Sequence, residues 1–378
     1  MKYGLIVFNK TANIGDDIQS YAAKQFLPRV DYYIEREELN EFVSDNGEVI
    51  KTIMSGWYTH EPSSFPPSPF LDAFITSIHL SNHTQSKLPE YLHGIFLDYL
   101  KNSPYPIGSR DQKTLKALEF AGISTKFSGC LTLTIKPLAN VRKKKVVYAV
   151  DVSNKIVQRL KEVTEIEVEV ITHALDSEKN SKLPYDKRMK NVEELLKKFQ
   201  SADLVVTSRL HCCLPALAVG GNPTLIYDSD NPDVVNRLSD YLPFVDHFSE
   251  EEFLALNKTE VLERHNNNRQ SFKEIASELE KDVTEFLKRD SLMSRPNISP
   301  SQYKEFFVKQ KKYLIHTQKI ETGLLNNRIA DMEAYIELLK KENEQLDNQL
   351  RILEKRTGVA LVKKILRKDR EDKNSSRG

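Results

Sequence analysis

The amino-acid sequence predicts an α/β protein with two halves, each built on a parallel sheet, followed by a C-terminal coiled coil. An apolar run at 3–8 and another at 146–150 each precede a polar turn and a segment in which apolar residues recur with helical spacing. Strands and helices continue to alternate after the second run, which is typical of a parallel sheet. A heptad pattern of apolar residues occupies 325–353 and predicts the coiled coil.

The individual elements are assigned from the same patterns. In the first half, YGLIVF (3–8) predicts a strand and DIQSYAAKQFL (17–27) predicts a helix. The second half is predicted to contain strands at 146–150, 166–172, 203–208 and 223–228, and helices at 154–163 and 192–200. The Pro-rich segment 63–70 and the polar segment 81–94 lack a clear period, so we expect loops and short helices there.

Changes in composition along the chain predict the domain boundaries. We expect an N-terminal α/β domain at 1–140, a C-terminal α/β domain at 141–290, a helical coiled coil at 300–356 and a basic tail at 357–378. A polar helix is predicted near the end of the second domain from a stripe of apolar residues at Phe272, Ile275, Leu279, Val283 and Phe286.

Composition restricts the class of function. The 378 residues suffice for two domains with substantial cores, and 55 basic against 54 acidic residues give a net charge of +1, which does not indicate a nucleic-acid partner. Cys130, Cys212 and Cys213 include no CxxC pair and argue against a disulfide scaffold or structural zinc site. No uncharged stretch approaches the roughly 18 residues of a spanning helix. We therefore expect a cytoplasmic protein, with a place at the inner face of the membrane as an option.

Nine residues alternate by four and three along the predicted coiled coil: Leu325, Ile329, Met332, Ile336, Leu339, Asn343, Leu346, Leu350 and Leu353. Asn343 falls at an a position, where a buried amide is best satisfied by the same residue of a second copy. The seam therefore predicts a parallel homodimer through residues 325–353. The alternative is one long amphipathic helix that packs on its own domain.

The basic tail begins with TGVALVKKILRK (357–368), which contains four cations and no anion. Val359, Val362, Ile365 and Leu366 lie near one side of a helix in this segment. Such a helix can enter the headgroup layer of an anionic membrane. An ordinary solvated basic tail is the alternative.

The segment 202–228 contains the most informative polar residues. A predicted buried strand ends at Ser208, Arg209 occupies the turn, and a helix begins near His211. Ligands of open parallel sheets bind at the carboxyl ends of the strands, where the N–H groups of the next helix point outward. Arg209 offers a planar fork for carboxylate or phosphate, and His211 can exchange a proton near neutral pH. The alternative for His211 is a structural hydrogen-bonding role.

Several motifs in this order resemble those of the polysaccharide pyruvyl transferase family. They are NIGDD (13–17), IGSRDQKTLKALEFAGI (107–123), SRLH (208–211) followed by GGNPTLIYD (220–228), and NPDVVNRLSDYL (231–242). SGCLTLT (128–134) also follows the second motif at the expected distance, although Cys130 stands where many members have an acidic residue. The resemblance covers roughly residues 1–285 and excludes the coiled coil.

The resemblance implies a transferase that moves the pyruvyl unit of phosphoenolpyruvate onto a sugar of a surface polysaccharide and forms a pyruvate ketal. It also implies two Rossmann-like domains in a GT-B-like architecture. By the same resemblance, His211 would be the catalytic acid/base, Arg209 and Arg110 would hold the donor's carboxylate and phosphate, and Asn13, Gly15 and Asp16 would shape the acceptor side of the cleft. The implied scheme needs no metal and no cofactor beyond phosphoenolpyruvate as donor, and its saccharide acceptor could be lipid-linked.

Other interpretations stay open at the level of sequence. Asn13 and Asp16 also suit the start of the helix that follows them, and Arg110 also suits a surface ion pair with Asp111. A GT-B-type glycosyltransferase that uses a nucleotide sugar would fit two α/β halves equally well. A degenerate scaffold of a glycan-assembly complex would need only the coiled coil.

Overall fold

The computed structural model describes residues 1–9, 11–58, 65–80, 94–262, 269–293 and 296–375. The chain divides into two compact units, Met1–Lys304 and Glu305–Gly378. The first unit is α/β and contains both parallel sheets, whereas the described part of the second unit is helical.

Six strands form the first sheet: β1 (Tyr3–Val7), β2 (Tyr32–Glu35), β3 (Ile50–Tyr58), β4 (Leu71–Leu80), β5 (Ile107–Ser109) and β6 (Thr125–Phe127). All of them are parallel, in the order β2-β1-β3-β4-β5-β6. The order reverses between β1 and β3, which makes the carboxyl ends of these two strands a switch point where ligands bind in Rossmann-like sheets. The helices of this half are α1 (Ile14–Lys24), α2 (Gly94–Lys101) and α3 (Gln112–Phe120).

Five strands form the second sheet: β7 (Val146–Val150), β8 (Glu167–Ile171), β9 (Leu204–Thr207), β10 (Pro223–Ile226) and β11 (Asp246–Phe248). They are also parallel, in the order β11-β10-β9-β7-β8, so this sheet has its own switch point between β7 and β9. Its helices are α4 (Asn154–Val163), α5 (Ser177–Ser181), α6 (Tyr185–Ser201), α7 (Leu210–Ala218), α8 (Pro232–Leu238), α9 (Glu250–Ala255), α10 (Lys258–Leu262) and α11 (Arg269–Lys288).

The apolar stripe predicted on the last of these helices is mostly confirmed. Phe272, Leu279, Val283 and Phe286 are buried on α11. Phe286 stacks on Phe74 of β4 with ring centroids 5.1 Å apart, so this helix packs on the first sheet as well as following the second. Burial of the apolar stripe gives α11 most of its stability, because an isolated polar helix of this length is marginal in water.

The long helix α12 (Pro300–Ser375) is continuous over 76 residues. In the second unit, the apolar seam residues whose side chains are described lie open to solvent, with 40% to 65% of the surface of each exposed: Ile329, Met332, Ile336, Leu339 and Leu346. Leu325, Leu350 and Leu353 have side chains outside the described set. The pairing of this seam stays a prediction.

Among the described residues, no helix combines the length and the apolar character that crossing a membrane requires.

Hydrogen bonds and an ion pair join the two halves of the first unit near the switch points of their sheets. The backbone N–H of Ile14 donates to the carbonyl of His173 at 3.0 Å, and that of Leu175 donates to Ala12 at 2.7 Å. Below this link, the buried side chains of Asp17 on α1 and Arg188 on α6 form an ion pair. The two sheets are therefore held together by main-chain and buried ionic contacts, not only by apolar packing.

The sequence did not reveal β3 and β4, although they are the longest strands of the first sheet. Both are almost wholly buried, yet they contain buried polar side chains, including Lys51 in β3 and Asp72 in β4, that interrupt the apolar run. Lys51 is accommodated because its ammonium donates to the carbonyls of Phe286 and Arg289 at the end of α11. In the Pro-rich segment 63–70, residues 65–70 are described and form turns and irregular chain, as expected, whereas 81–93 lie outside the described residues.

Candidate active site

A cavity of about 360 Å³ opens at the carboxyl ends of strands from both sheets. Its lining includes Trp57 at the end of β3, Asn13 after β1 and Ser208 after β9. The cavity thus lies at the two switch points, where the topology of parallel sheets predicts a ligand. Five of the six predicted site residues line it: Asn13, Asp16, Arg110, Arg209 and His211.

The NIGDD motif forms the rim of the cavity at the start of α1. Asn13 caps this helix, because its side-chain oxygen accepts from the N–H of Gly15 at 2.9 Å. Asp16 lies in the first turn and accepts from Thr11 at 2.6 Å and from Gln19 at 3.2 Å. The alternative capping role is thus filled by Asn13, whereas the carboxylate of Asp16 faces the cavity.

Gly15, the sixth predicted residue, is absent from the lining and serves packing. A Cβ at this position would lie 3.0 Å from the Cβ of His211 and 3.0 Å from the side-chain oxygen of Asn13. Glycine therefore allows α1 to approach α7 closely enough for Asn13 and His211 to share one cavity.

Arg110 and His211 are in contact although they are 101 positions apart in the chain. Arg110 is buried, with 6% of its surface exposed, and one terminal amino group donates to Gln19 at 3.0 Å and lies 3.2 Å from Nε2 of His211. A guanidinium has only donors, so Nε2 must accept and the ring proton must reside on Nδ1. Arg110 is therefore part of the cavity wall, and the alternative of a surface ion pair with Asp111 is wrong.

The protonation state of His211 follows from this contact. Burial, followed by the nearby charge of Arg110, lowers the pKa of His211 well below its ordinary value. The imidazole is thus neutral at pH 7 when the cavity holds no anion. An anion bound to Arg110 would offset the charge of the guanidinium and attract the protonated ring, so both changes would raise the pKa of His211.

Arg209 precedes α7 and is oriented by Asp151, which follows β7. Its Nε donates to a carboxylate oxygen of Asp151 at 3.0 Å, while about half of its side chain stays exposed. Burial acts to raise the pKa of Asp151, but hydrogen bonds from Thr172, the His173 backbone and Arg209 outweigh it, so the pKa lies below its ordinary value. The bond uses Nε, which leaves the terminal amino groups of Arg209 without a protein acceptor among the described residues and suited to an anionic ligand.

A buried histidine–aspartate pair lies beside Arg110. Nδ1 of His79 is 2.7 Å from one carboxylate oxygen of Asp111, whose other oxygen accepts from the N–H of Thr114 at 2.8 Å. Burial lowers the pKa of His79 despite the opposing effect of Asp111. The ring of Trp57 contacts His79 edge to face, with centroids 5.6 Å apart. Asp111 and Trp57 line the cavity, so this pair supports the wall that holds Arg110.

His173 is the second histidine of the cavity lining, after His211. It follows β8, is 1% exposed, and its ring stacks on Phe199. Burial lowers its pKa to about 4, so the ring is neutral at physiological pH. Three arginines line the cavity: Arg110, Arg209 and Arg237 of α8. Two histidines, His173 and His211, line it with them, and His79 contacts the lining residues Trp57 and Asp111.

The sequence-based site omitted Trp57, His79, Asp111, His173 and Arg237. Trp57 and His79 were missed because their strands were not recognised. His173 had a usable signal, since it directly follows the predicted strand 166–172. Arg237 belongs to the segment 231–242 that carries part of the family resemblance.

The cysteines next to His211 belong to the core. Cys212 and Cys213 are fully buried, and burial raises the pKa of each thiol far above its ordinary range. A thiolate nucleophile is therefore disfavoured at both positions. Among the described residues, no group of three or more His, Cys, Asp or Glu side chains is arranged to hold a metal ion.

Comparison with known proteins identifies the family. No curated protein matches the chain. A crystal structure of a functionally uncharacterised protein from Klebsiella pneumoniae subsp. pneumoniae NTUH-K2044 is similar, with 10% identity, a TM-score of 0.40, and a match that covers 66% of this chain and 93% of that one. The model of the family described as polysaccharide pyruvyl transferase matches residues 13–230, which is more than half of the chain and includes all six predicted site residues. The chain therefore belongs to the polysaccharide pyruvyl transferase family.

Proposed function

We propose that this protein transfers the pyruvyl unit of phosphoenolpyruvate to a saccharide of a surface polysaccharide and forms a cyclic pyruvate ketal. One observation carries the proposal: Arg110 from the first half and Arg209 and His211 from the second half line a single cavity. Two guanidinium groups match the carboxylate and phosphate of the donor, and the imidazole supplies the proton transfer that the reaction needs.

The donor is bound by charge. Arg209, oriented through its Nε by Asp151, presents its terminal amino groups to one anionic group. Arg110 turns from Nε2 of His211 to the other anionic group, so the contact of 3.2 Å is exchanged for a contact with ligand. This exchange removes the nearest positive charge from His211 and places donor anions beside it. The pKa of His211 then rises, and the ring gains a proton when the donor is bound.

The reaction then proceeds in steps that balance. Protonated His211 gives its proton to the methylene carbon of phosphoenolpyruvate, which makes the central carbon electrophilic. A sugar hydroxyl attacks that carbon and returns its proton to His211. The C–O bond to phosphate breaks, a second hydroxyl of the same sugar attacks, and its proton leaves with the phosphate as hydrogen phosphate. The arginines stabilise the negative charge on the departing group.

The acceptor enters on the side of Asn13 and Asp16. The Asp16 carboxylate is already held by Thr11 and Gln19, so its position is fixed before a sugar binds. Carboxylate and amide groups are suited to sugar hydroxyls, since they accept and donate hydrogen bonds at defined angles. Gln19 also contacts Arg110, which connects the acceptor side to the donor side of the cavity.

The products distinguish this function from nucleotide-sugar transfer. Purified protein is incubated with phosphoenolpyruvate or with nucleotide sugars, each with oligosaccharide acceptors that carry pairs of adjacent hydroxyls, and the products are weighed by mass spectrometry. We expect the acceptor to gain the mass of pyruvate less water, with release of inorganic phosphate, only with phosphoenolpyruvate. A gain of one hexose from a nucleotide sugar would instead support the glycosyltransferase alternative.

We also propose how the catalytic unit is organised in the cell. The domains at 1–140 and 141–290 form a GT-B-like pair, and residues 325–353 join two copies as a parallel coiled coil in the cytoplasm. The apolar seam residues of the second unit, exposed in the single chain, are what such a partner would cover. Sedimentation analysis of the full chain is expected to give a dimer, and Asn343→Leu is expected to loosen the choice of oligomer. A monomer at micromolar concentration would contradict this assignment of the seam.

A further inference from the structure

The end of α12 has a second apolar face that differs from the coiled-coil seam. Leu361, Val362, Ile365 and Leu366 each have 54% to 63% of their surface exposed. At 3.6 residues per turn, these four positions fall within one half of the helix circumference. The four apolar residues, here called the tail face, therefore form one continuous exposed stripe.

The opposite half of the same turns is basic. Lys363, Lys364 and Arg367 are exposed, and their positions on the helix lie across from the tail face. No Asp or Glu occurs from 355 to 368, whereas the helix before this segment carries both signs of charge. The segment thus combines an apolar stripe with a purely cationic polar side, which is the pattern of helices that lie in an anionic membrane interface.

The coiled-coil seam cannot cover the tail face. If the heptad that contains Ile336 and Asn343 continued, its next core positions after Leu353 would be Thr357, Ala360, Lys364 and Arg367. Two cations would then occupy the core, and the four apolar residues would lie outside it. A partner that pairs along the seam therefore leaves the tail face exposed and available to a different partner.

We propose that residues 357–368 bind an anionic phospholipid surface, with the tail face in the boundary between headgroups and acyl chains and the lysines and arginine among the lipid phosphates. Charge complementarity selects this occupant, because a purely basic helix face matches a surface of negative headgroups. The segment lies in the interface plane and does not cross the bilayer. This binding is independent of the transfer reaction, since it needs neither donor nor acceptor.

The test uses the full chain and sedimentation with large vesicles of phosphatidylcholine alone or of phosphatidylcholine with phosphatidylglycerol. We expect binding to the anionic vesicles that weakens as salt is raised, and little binding to neutral vesicles. Each basic residue near an anionic surface contributes about fivefold to the partition constant, so Lys363→Gln with Lys364→Gln and Arg367→Gln should lower it about a hundredfold.

Matched variants separate this site from a general effect of charge. Lys340→Gln with Lys341→Gln and Arg351→Gln removes three exposed charges from the same helix and should lower binding far less than the tail variant, because acidic residues on the neighbouring turns already offset the attraction of these charges to the membrane. Leu361→Ser with Ile365→Ser and Leu366→Ser keeps every charge and should lower binding at least about tenfold. Unchanged binding in the serine variant, equal binding to neutral vesicles, or no binding at all would overturn the proposal.

Discussion

Replacement of His211 by glutamine is expected to lower the rate of pyruvyl transfer by about 10²-fold to 10⁴-fold, the range that general acid–base catalysis contributes. Glutamine can still accept a hydrogen bond from Arg110, so the wall of the cavity is retained. It cannot carry the proton from a hydroxyl to the methylene carbon. Initial rates of phosphate release, with saturating phosphoenolpyruvate and acceptor, measure the effect.

Two comparisons make this result specific to His211. His247→Gln makes the same chemical change in β11, outside the cavity lining, and should keep the normal rate. The pH dependence should also divide between kcat/KM and kcat. Because burial and Arg110 lower the pKa of His211 in the free site, and the proposed mechanism raises it when the donor anions bind, the limb assigned to His211 should lie at higher pH in kcat than in kcat/KM. A His211→Gln enzyme with normal activity and the normal pH profile would remove the histidine from the mechanism.

Arg188→Leu is expected to lower the free energy of unfolding by about 3–5 kcal/mol, which is typical for removal of one partner of a buried ion pair. The Arg188 side chain is fully buried, donates to the carbonyl of Phe8 at 2.7 Å and pairs with the Asp17 carboxylate. Burial already raises the pKa of Asp17, and the bond with Arg188 is the main opposing effect. The variant leaves a buried carboxylate without its cation, and urea unfolding measures the loss.

A double variant shows whether the ion pair itself is responsible. Asp17→Leu combined with Arg188→Leu removes both charges and should recover most of the lost stability. The single Arg188→Leu variant should also gain stability as the pH is lowered. The folded-state pKa of Asp17 then lies further above its unfolded value, so protonation at low pH favours the folded state. If the single and double variants are equally unstable, loss of packing and not the unpaired charge explains the effect.

The sequence predicted those parts of the fold whose patterns are local. The strand Val146–Val150 and the helix Asn154–Val163 were predicted with the bounds they have, because one is a continuous apolar run and the other has a Ser153 cap and helical apolar spacing. The predicted helix at 192–200 begins earlier, at Tyr185, since its first turns are polar. β3 and β4 were not predicted, since buried polar residues such as Thr52 and Asp72 remove the periodicity on which strand assignment depends.

The candidate site likewise contains residues that local sequence patterns predict and contacts that only the packing of the two sheets determines. Arg209 and His211 could be placed from one strand and one turn, because the topology of a parallel sheet fixes which end carries ligands. The contact between Arg110 and His211 could not be derived from spacing, since it joins two sheets and depends on how closely α1 and α7 pack at Gly15. The pair of His79 and Asp111 was missed for a related reason, because one partner lies on a strand whose pattern is hidden.

The main-chain bonds that link Ile14 to His173 and Leu175 to Ala12 make the cavity tolerant of side-chain substitution. Hydrogen bonds between backbone groups survive almost any exchange of side chains, so the alignment of the two sheets does not depend on the identity of the residues that line the cavity. Side chains that line the cavity can therefore be exchanged without loss of the main-chain link that holds Arg110 of one half opposite His211 of the other.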